Sequence, residues 1–548
     1  MRDRSFIMLF LPAVYFGIVS ASCTVKDRIA WFWMGDITSR SITFKLGLNK
    51  VATCHDATVM ISLFPQDASK SFSVLCDHVY PGGSLDAPVV DAKTSNTKEP
   101  LRDLMECFVS DLSSAIHAYR YQIVVQSDGS ELIVAKEGKF TTPPAEGTPF
   151  SFRLAFSSCA DEHSNPKVFS SIQAESPFLF LHMGDLHYEN IAKNDVTLYR
   201  NAFNKFLTSP AGKAMEKMDV PIAYMWDDHD FGPDNSDRTA PGRNASVQAY
   251  REFVPHYPLE AVKERPQWVD EQDLIRKKQD LGQTFPAIYQ AFTIGRVRFI
   301  LTDLRSMRTP NEAPDMPSKT VLGVAQKQWF KEELERANAD KLIRQIIWCS
   351  TMPWIDDERK WGHFKYEQQE LVSYLKAYGI TSDYSEKMKW KTPLVIVSGD
   401  AHMLAVDDGS NSPGNLITFH AAALGRPGSI KGGPYSHGVH PGPGQYGILD
   451  IVDDSVQNRI CIQYRGMQMD KGKILEYDSC NPSLTPPVTP HNPPSIFVRQ
   501  LLRRWKKTRR YFMERPLIAF LALLVIFYAG KKGYSRLKRA NIGRKKQK

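Results

Sequence analysis

Four short stretches hold the side chains best suited to chemistry: Phe156-Ser157-Ser158-Cys159, Gly184-Asp185-Leu186-His187-Tyr188, Trp226-Asp227-Asp228-His229-Asp230 and Ser398-Gly399-Asp400-Ala401-His402. Each acidic stretch follows an apolar run of strand length, at 178–183, 220–225 and 394–398. In an open α/β sheet the carboxyl ends of strands are where ligands bind. Carboxylate and phenolate oxygens suit a hard cation, imidazole a borderline one, and thiolate selects iron or zinc. Cys159, Asp185, Tyr188, Asp228, His229, Asp400 and His402 offer all of these and read together as a dinuclear metal site. Two metals can share a bridging carboxylate, generate hydroxide from water and clamp phosphoryl oxygens during in-line displacement. The expected reaction is phosphoester hydrolysis by a metal-bound hydroxide. Ser157 and Ser158 lack a Gly-x-Ser-x-Gly elbow, and no Gly-rich loop followed by Lys and Ser/Thr is present, so neither a serine nucleophile nor a P-loop is indicated.

Each residue has a plainer alternative. Asp185, at a strand end, is the natural bridge between two metals. Tyr188 is either a phenolate ligand or a packed aromatic. His229 could polarise substrate or protonate a leaving group, with Asp227 or Asp230 orienting its ring. Its alternative is a capping or core histidine. Arg305 is placed either to bind a phosphate oxygen through its fork of donors or to pair with Asp303. Cys159 follows two serines at a strand end, whereas Cys349 lies in the apolar run 346–350 and reads as a packed thiol. His187 is set aside as a supporting residue.

The motifs recur in a fixed order: Ser157, Gly184-Asp185-x-x-Tyr188, Trp226 to Asp230, Thr302-Asp303-Leu304-Arg305, Leu322-Gly323-x-x-Gln326-x-x-Trp329, Trp361-Gly362 and Ser398-Gly399-Asp400-x-His402. Over residues 150–455 the chain resembles the PhoD-like alkaline phosphatases and phosphodiesterases of the metallophosphoesterase superfamily. The resemblance implies a metallophosphoesterase-like α/β sandwich and a ferric ion with calcium, other divalent ions being compatible with the same donors. It assigns Cys159, Asp185, Tyr188 and His402 to Fe3+, with Asp185 bridging to Ca2+ and Asp400 completing that second shell. The family's asparagine ligand is assigned to Asn235. Here the chain departs from the pattern, because Gly232 and Pro233 intervene before Asp234 and Asn235, and Asp230 stands where glutamate is usual. His229, Asp228 and Arg305 are the expected catalytic residues. Monoesters and diesters, including phospholipid or lipid-linked glycan phosphates, are the substrate classes implied. A phosphate-ligand receptor without turnover is the alternative, and so is an adhesion protein using its β domain.

The elements that must position these residues follow from periodicity. Residues 24–143 alternate short apolar and polar stretches with turns, as a small immunoglobulin-like β-sandwich does. A Pro-rich linker at 143–149 follows. From Phe150 the pattern becomes strand-then-helix, with strands at 153–156, 178–183, 222–226, 297–303, 345–350 and 394–398, and helices at 201–217, 323–337 and 366–378. The expected organisation is a signal peptide at 1–22, a β-sandwich at 23–143, a catalytic domain at 150–470, a Pro-rich stalk with a basic segment at 471–510, a transmembrane helix at 511–530 and a basic tail at 531–548.

Composition sets the remaining expectations. With 42% hydrophobic and 24% charged residues the 548-residue chain is ordinary globular material. Its formal charge of +9 owes much to the tail from Arg503, so no nucleic-acid partner is expected. Arg2 and Arg4 precede an apolar run and the small residues Ser20-Ala21-Ser22, the form of a secretory signal. Secretion makes the eight cysteines candidates for disulfides. Cys461 and Cys480 are an expected pair, while Cys23, Cys54, Cys76 and Cys107 allow three pairings. Asn244-Ala245-Ser246 is a glycosylation sequon. The apolar run at 516–530, closed by Lys531 and Lys532, suggests a single-pass type I membrane protein, and Lys545-Lys546-Gln547-Lys548 resembles an endoplasmic reticulum retrieval signal.

Overall fold

The computed structural model describes residues 28–49, 57–67, 70–79, 101, 103–114, 116–127, 132–259, 287–355, 360–382 and 392–484. The expected leader at 1–22 and everything beyond 484 lie outside the described residues.

The first part is all β: β1 (Ile29–Gly35), β2 (Ile42–Leu48), β3 (Ala57–Pro65), β4 (Phe72–Leu75), β5 (Asp77–His78), β6 (Leu104–Val109), β7 (His117–Ser127) and β8 (Ile133–Thr142). They form two four-stranded sheets, ordered β1-β2-β6-β5 and β4-β3-β7-β8. Alternation with period two explains why they pack. Phe44 and Leu46 from one sheet, and Val59, Ile61, Leu63, Tyr121 and Ile123 from the other, are buried in one core. The Cys76–Cys107 disulfide ties β6 to the segment between β4 and β5. This part rests on the next through Trp31, which stacks on Phe253, and Trp33, whose indole N–H donates to the Phe253 carbonyl at 2.7 Å.

The second part carries β9 (Phe152–Ser157), β10 (Leu179–Met183), β11 (Ile222–Met225), β12 (Gln290–Ile294), β13 (Val297–Leu301), β14 (Gln345–Ser350), β15 (Leu394–Ser398), β16 (Met403–Asp407), β17 (Ile417–Ala421), β18 (Val439–Pro441), β19 (Gln445–Asp454), β20 (Arg459–Gln468) and β21 (Gly472–Asp478). One sheet has six strands, β11-β10-β9-β19-β20-β21, and the other seven, β12-β13-β14-β15-β17-β16-β18. β9, β10 and β11 run parallel, as do β13, β14, β15 and β17. The central strands are apolar on both faces, as strands covered on both sides must be. Leu154, Phe156, Leu181 and Met183 meet Phe299, Leu301, Val395 and Val397 between the sheets. On the outer face of the first sheet, Phe180 and Ala155 pack with helical Phe169, Tyr199 and Phe203. On the second, Ile300, Trp348 and Ile396 pack with helical Phe330, Leu334 and Leu371. The layers are therefore helix, sheet, sheet, helix. Cys349 is a free, buried thiol of the inter-sheet core.

Three differences from the sequence reading have local causes. The helix read at 201–217 is two, Val196–Thr208 and Pro210–Lys217, because Ser209 leaves helical geometry and caps the second, with Pro210 at its first turn. The folded body runs past residue 470: β21 pairs with β20, and Cys480 is bonded to Cys461. The expected membrane topology is corrected. Among the described residues no helix is long and apolar enough to cross a membrane, and the segment 511–530 lies outside them. The fold is a mixed α/β, sheet-rich one, and neither the single-pass type I architecture nor the reticulum address built on it stands. The weakness was physical: an apolar core of 15 residues, with Glu514 and Arg515 beside it, falls short of the ~20 residues a span requires.

Candidate metal centre

The site forms where the carboxyl ends of β9, β10, β11 and β15 converge. Three of its residues, Cys159, Asp185 and Asp400, sit in the left-handed region with φ of 62°, 54° and 59°. Such conformations cost about 1–3 kcal/mol each for non-glycine residues and persist only where the surroundings over-determine them. The surroundings here are tight. A Cβ on Gly184, itself at φ 88°, would collide with the Asp227 backbone, and one on Gly399 would press on Ser158. Asp230 then ties the β10 and β11 loops together: its carboxylate accepts from the backbone N–H of Asp185 at 2.5 Å, Asp227 at 3.0 Å and Leu186 at 2.8 Å.

Asp185, Asp227, Asp228 and Asp400 are all buried, and each offers a carboxylate oxygen such that the four atoms lie within 4.8 Å of one another. Asp185, Asp228 and His229 form an overlapping group by the same measure. Asp185 is the hinge of both. Its Oδ2 accepts from the Tyr188 hydroxyl at 3.1 Å and the Cys159 thiol at 3.5 Å, and its Oδ1 accepts from the His229 backbone N–H at 3.2 Å. Burial, reinforced by the neighbouring carboxylates, raises the pKa of Asp185, Cys159 and Tyr188. His402 Nδ1 donates to the Pro427 carbonyl at 2.7 Å. Burial and then the Lys431 ammonium lower its pKa to about 4.

The opposite side is laced with basic groups. Arg305 is fully buried; its Nε donates to Asp227 Oδ1 at 2.5 Å, and its Nη2 lies 3.4 Å from Asp228 Oδ1. Thr351 adds a hydrogen bond to Asp227 Oδ1 at 3.1 Å, while Asp227 Oδ2 is buried without a hydrogen-bond partner. Burial would raise the Asp228 carboxyl, but Arg305, His229 and Lys360 together hold it below the usual range. Asp400 meets two ammonium groups, Lys360 Nζ at 2.7 Å from Oδ2 and Lys431 Nζ at 3.1 Å from Oδ1.

The sequence-derived residues thus fall into two groups. Cys159, Asp185, Tyr188, Asp228, His229 and Asp400 come together, and His402 adjoins Asp400. Asn235 turns its side-chain amide to Asp234 Oδ2 at 2.7 Å and gives only its backbone N–H to Asp228. Arg305 faces the carboxylates, and its own backbone N–H, not its guanidinium, meets Asp303. His229 is oriented by Asn190, 2.8 Å from Nδ1, and by a tilted contact with the Tyr188 ring, centroid to centroid 4.1 Å. Asp227 and Asp230 do not orient it, because both are committed to Arg305 and to backbone amides. His187 is buried with both ring nitrogens unpartnered and lies edge-on to Phe203, outside the carboxylate groups. Sequence reasoning missed Asp227 as a member of the cluster, Lys360, Lys431, Asn190, and Arg426, whose guanidinium covers the Tyr188 ring at 4.1 Å. Only Asp227 carried a signal, its place inside the Trp226 motif.

The donor set fits a metal: clustered buried carboxylates, three oxygens of them (Asp227 Oδ2, Asp228 Oδ1 and Asp400 Oδ2) without a hydrogen bond, beside a thiol, a phenol and an imidazole. Two β-sheets packed between helices, with such donors at their strand ends, define a metallophosphoesterase-like fold. The solved structure of purple acid phosphatase PPD1 from yellow lupin (Lupinus luteus) seeds shares it, with a TM-score of 0.50 over 84% of this chain and 77% of that one at 13% identity. The PhoD-like phosphatase family model matches residues 154–423, so this part of the chain is a PhoD-like phosphatase domain. Alkaline phosphatase D of Bacillus subtilis (strain 168) is 24% identical over 333 residues, 52% of this chain. The match spans about half, 51%, of the Bacillus protein.

Proposed function

We propose that the chain is a metal-dependent phosphoester hydrolase centred on Asp185. The observation that carries this reading is the group of four buried carboxylates, Asp185, Asp227, Asp228 and Asp400, with ligand atoms within 4.8 Å at the strand ends of a PhoD-like domain. Cys159, Asp185, Tyr188 and His402 are the donors for one ion, and thiolate with phenolate favours Fe3+ there. Asp227, Asp228 and Asp400 are the oxygen donors facing a second, divalent position, for which the resemblance implies Ca2+. Asn235 has a poorer claim to it than Asp227, since its amide is engaged by Asp234. When bound, the metal supplies Lewis acidity toward phosphoryl oxygens and lowers the pKa of water.

The protein's own groups do the rest. Asp230 and the glycines at 184 and 399 fix the loops, so that the carboxylates keep their spacing. Arg305 neutralises Asp227 and Asp228 and is a positioning residue. His229 keeps its ring directed by Asn190, where it can give a proton to a leaving alkoxide. Phosphomonoesters and diesters of small molecules are the proposed substrates.

The test is hydrolysis of p-nitrophenyl phosphate and bis(p-nitrophenyl) phosphate by the purified chain, with metal content measured alongside. Asp185→Asn and Cys159→Ser should each lower turnover by about a hundredfold or more and reduce bound metal. A visible charge-transfer band lost in Tyr188→Phe would mark ferric phenolate. Hydrolysis unaffected by Asp185→Asn would sink the reading.

A further inference from the structure

The Lys360 side chain is only 1% exposed, and its Nζ lies 2.7 Å from Asp400 Oδ2. A buried ammonium is costly unless a carboxylate answers it, and here the answering carboxylate is one of the four that form the candidate centre. Lys360 is held from its C-terminal side: Trp361 is fully buried among Trp348 and Trp354, and its indole N–H donates to Ser350 Oγ at 3.1 Å. Its reach to Asp400 is therefore built into the core and is not a surface side chain folding over. Lys431 Nζ takes the other Asp400 oxygen at 3.1 Å and the Asp400 carbonyl at 3.2 Å.

The charges of the centre are in consequence lopsided. Arg305 answers Asp227 and Asp228, and Lys360 and Lys431 answer Asp400. On the other side, Asp185 Oδ2 receives only the Tyr188 hydroxyl and the Cys159 thiol among the recorded contacts, two groups that become ligands by losing protons. A divalent ion using Asp400 Oδ2 would have to share or take the oxygen that Lys360 holds.

We propose that Lys360 is the resident second cation of the centre: its ammonium stands on Asp400 in place of a divalent ion, and the chain binds a single tight metal on the Asp185, Cys159 and Tyr188 side. This rests on the first-ion half of the metal-centre reading above, the Asp185, Cys159 and Tyr188 side, and replaces the second, divalent position that the resemblance implies with the Lys360 ammonium. A fixed ammonium beside a transferring phosphoryl group does part of a second metal's work, stabilising charge on the oxygens, without being lost to chelators.

The test is metal stoichiometry and affinity in the purified full-length chain, read by elemental analysis and by calorimetric titration with Mn2+ and with Ca2+. The unmodified chain should hold one tight ion. Lys360→Met should gain a second site at least about tenfold tighter than any second binding in the unmodified chain, because a like charge at contact range is removed. Lys360→Arg, which keeps the charge, should behave as the unmodified chain does. A gain of binding is a result that structural damage would not produce. Two equally tight ions in the unmodified chain overturn the proposal. No bound ion in any form overturns the metal-centre reading instead. Lys360→Gln is the second variant should Lys360→Met not fold, and if neither folds the stoichiometry of the unmodified chain decides alone.

Discussion

Replacing Arg305 by methionine separates two roles that a buried arginine near a phosphatase centre can have. The guanidinium lies 2.5 Å from Asp227 Oδ1 and 3.4 Å from Asp228 Oδ1, with all three side chains buried. Methionine fills much of the aliphatic volume and removes the charge. Two carboxylates separated by less than 4.8 Å repel by about 3–4 kcal/mol at an effective dielectric near 20, and the guanidinium offsets that repulsion. Removing one member of a buried ion pair costs about 3–5 kcal/mol in comparable settings. The metal-free variant should therefore lose about 3–5 kcal/mol in urea unfolding near neutral pH, and the metal-loaded variant less, since an added cation restores part of the charge. In steady-state assays of the loaded variant kcat should fall while KM changes little. A loss below ~1 kcal/mol in the metal-free form, together with a KM raised about tenfold or more, would refute this reasoning. That pattern belongs to an arginine that grips the substrate phosphate.

Three further outcomes follow from other parts of the chain. Burial raises the Asp36 carboxyl pKa to about 7, partly opposed by the Thr43 hydroxyl, which donates to Oδ2 at 3.0 Å, and assisted by Glu106. The folded state therefore binds this proton more tightly than the unfolded one, and stability from this group is full below about pH 4 and is lost as pH rises through 7. Asp36→Asn, which tolerates the left-handed φ of 51°, should be stabilising by up to ~4 kcal/mol at pH 8 and near neutral at pH 4, as read from denaturant midpoints. Gly184→Ala should drive the Asp185 and Asp227 loops apart; expected are a destabilisation of about 1–3 kcal/mol and at least a tenfold loss of metal affinity by calorimetry, and unchanged affinity would remove Gly184 from the account. Cys461→Ser should cost about 2–4 kcal/mol through the lost crosslink to Cys480, a separation of 19 residues, with peptide mapping of the unreduced parent confirming the bond.

Much of this site could be read from the chain because its ligands follow strands. Apolar runs at 178–183, 220–225 and 394–398 end in Asp185, Asp227 to Asp230, and Asp400, and in an open α/β sheet the carboxyl ends of parallel strands share one edge. The β-then-helix alternation from Phe150 likewise anticipated two-faced strands, since Leu154, Leu181 and Val395 serve one core while Ala155, Phe180 and Ile396 serve others. What could not be read depends on chain segments returning from far away. Nothing near Lys360 marks it as Asp400's partner, nothing near Asn190 ties it to His229, and Asp230 is indistinguishable in sequence from a ligand although its carboxylate is spent on three backbone amides. The membrane segment failed for the opposite reason: a local apolar run was read without a folded context to test it.

Lys360, Lys431 and Arg426, three of the five residues missed, are cations, whereas Arg305 was legible inside its motif, and the difference has a physical basis. Motifs record groups whose geometry the reaction needs, whereas counter-charges can come from any segment that passes within reach. Arg305, Lys360 and Lys431 arrive from three different loops, yet without them four carboxylates within 4.8 Å would each repel three others by several kcal/mol in the folded, metal-free chain. The same three cations then set how strongly the centre attracts metal. Too few would leave a protein that folds only when loaded; too many would exclude the metal altogether. Their uneven placement, all against Asp227, Asp228 and Asp400 and none against Asp185 Oδ2 among the recorded contacts, leaves the strongest demand for an external cation on the Asp185 side, where the thiol and phenol wait as its ligands.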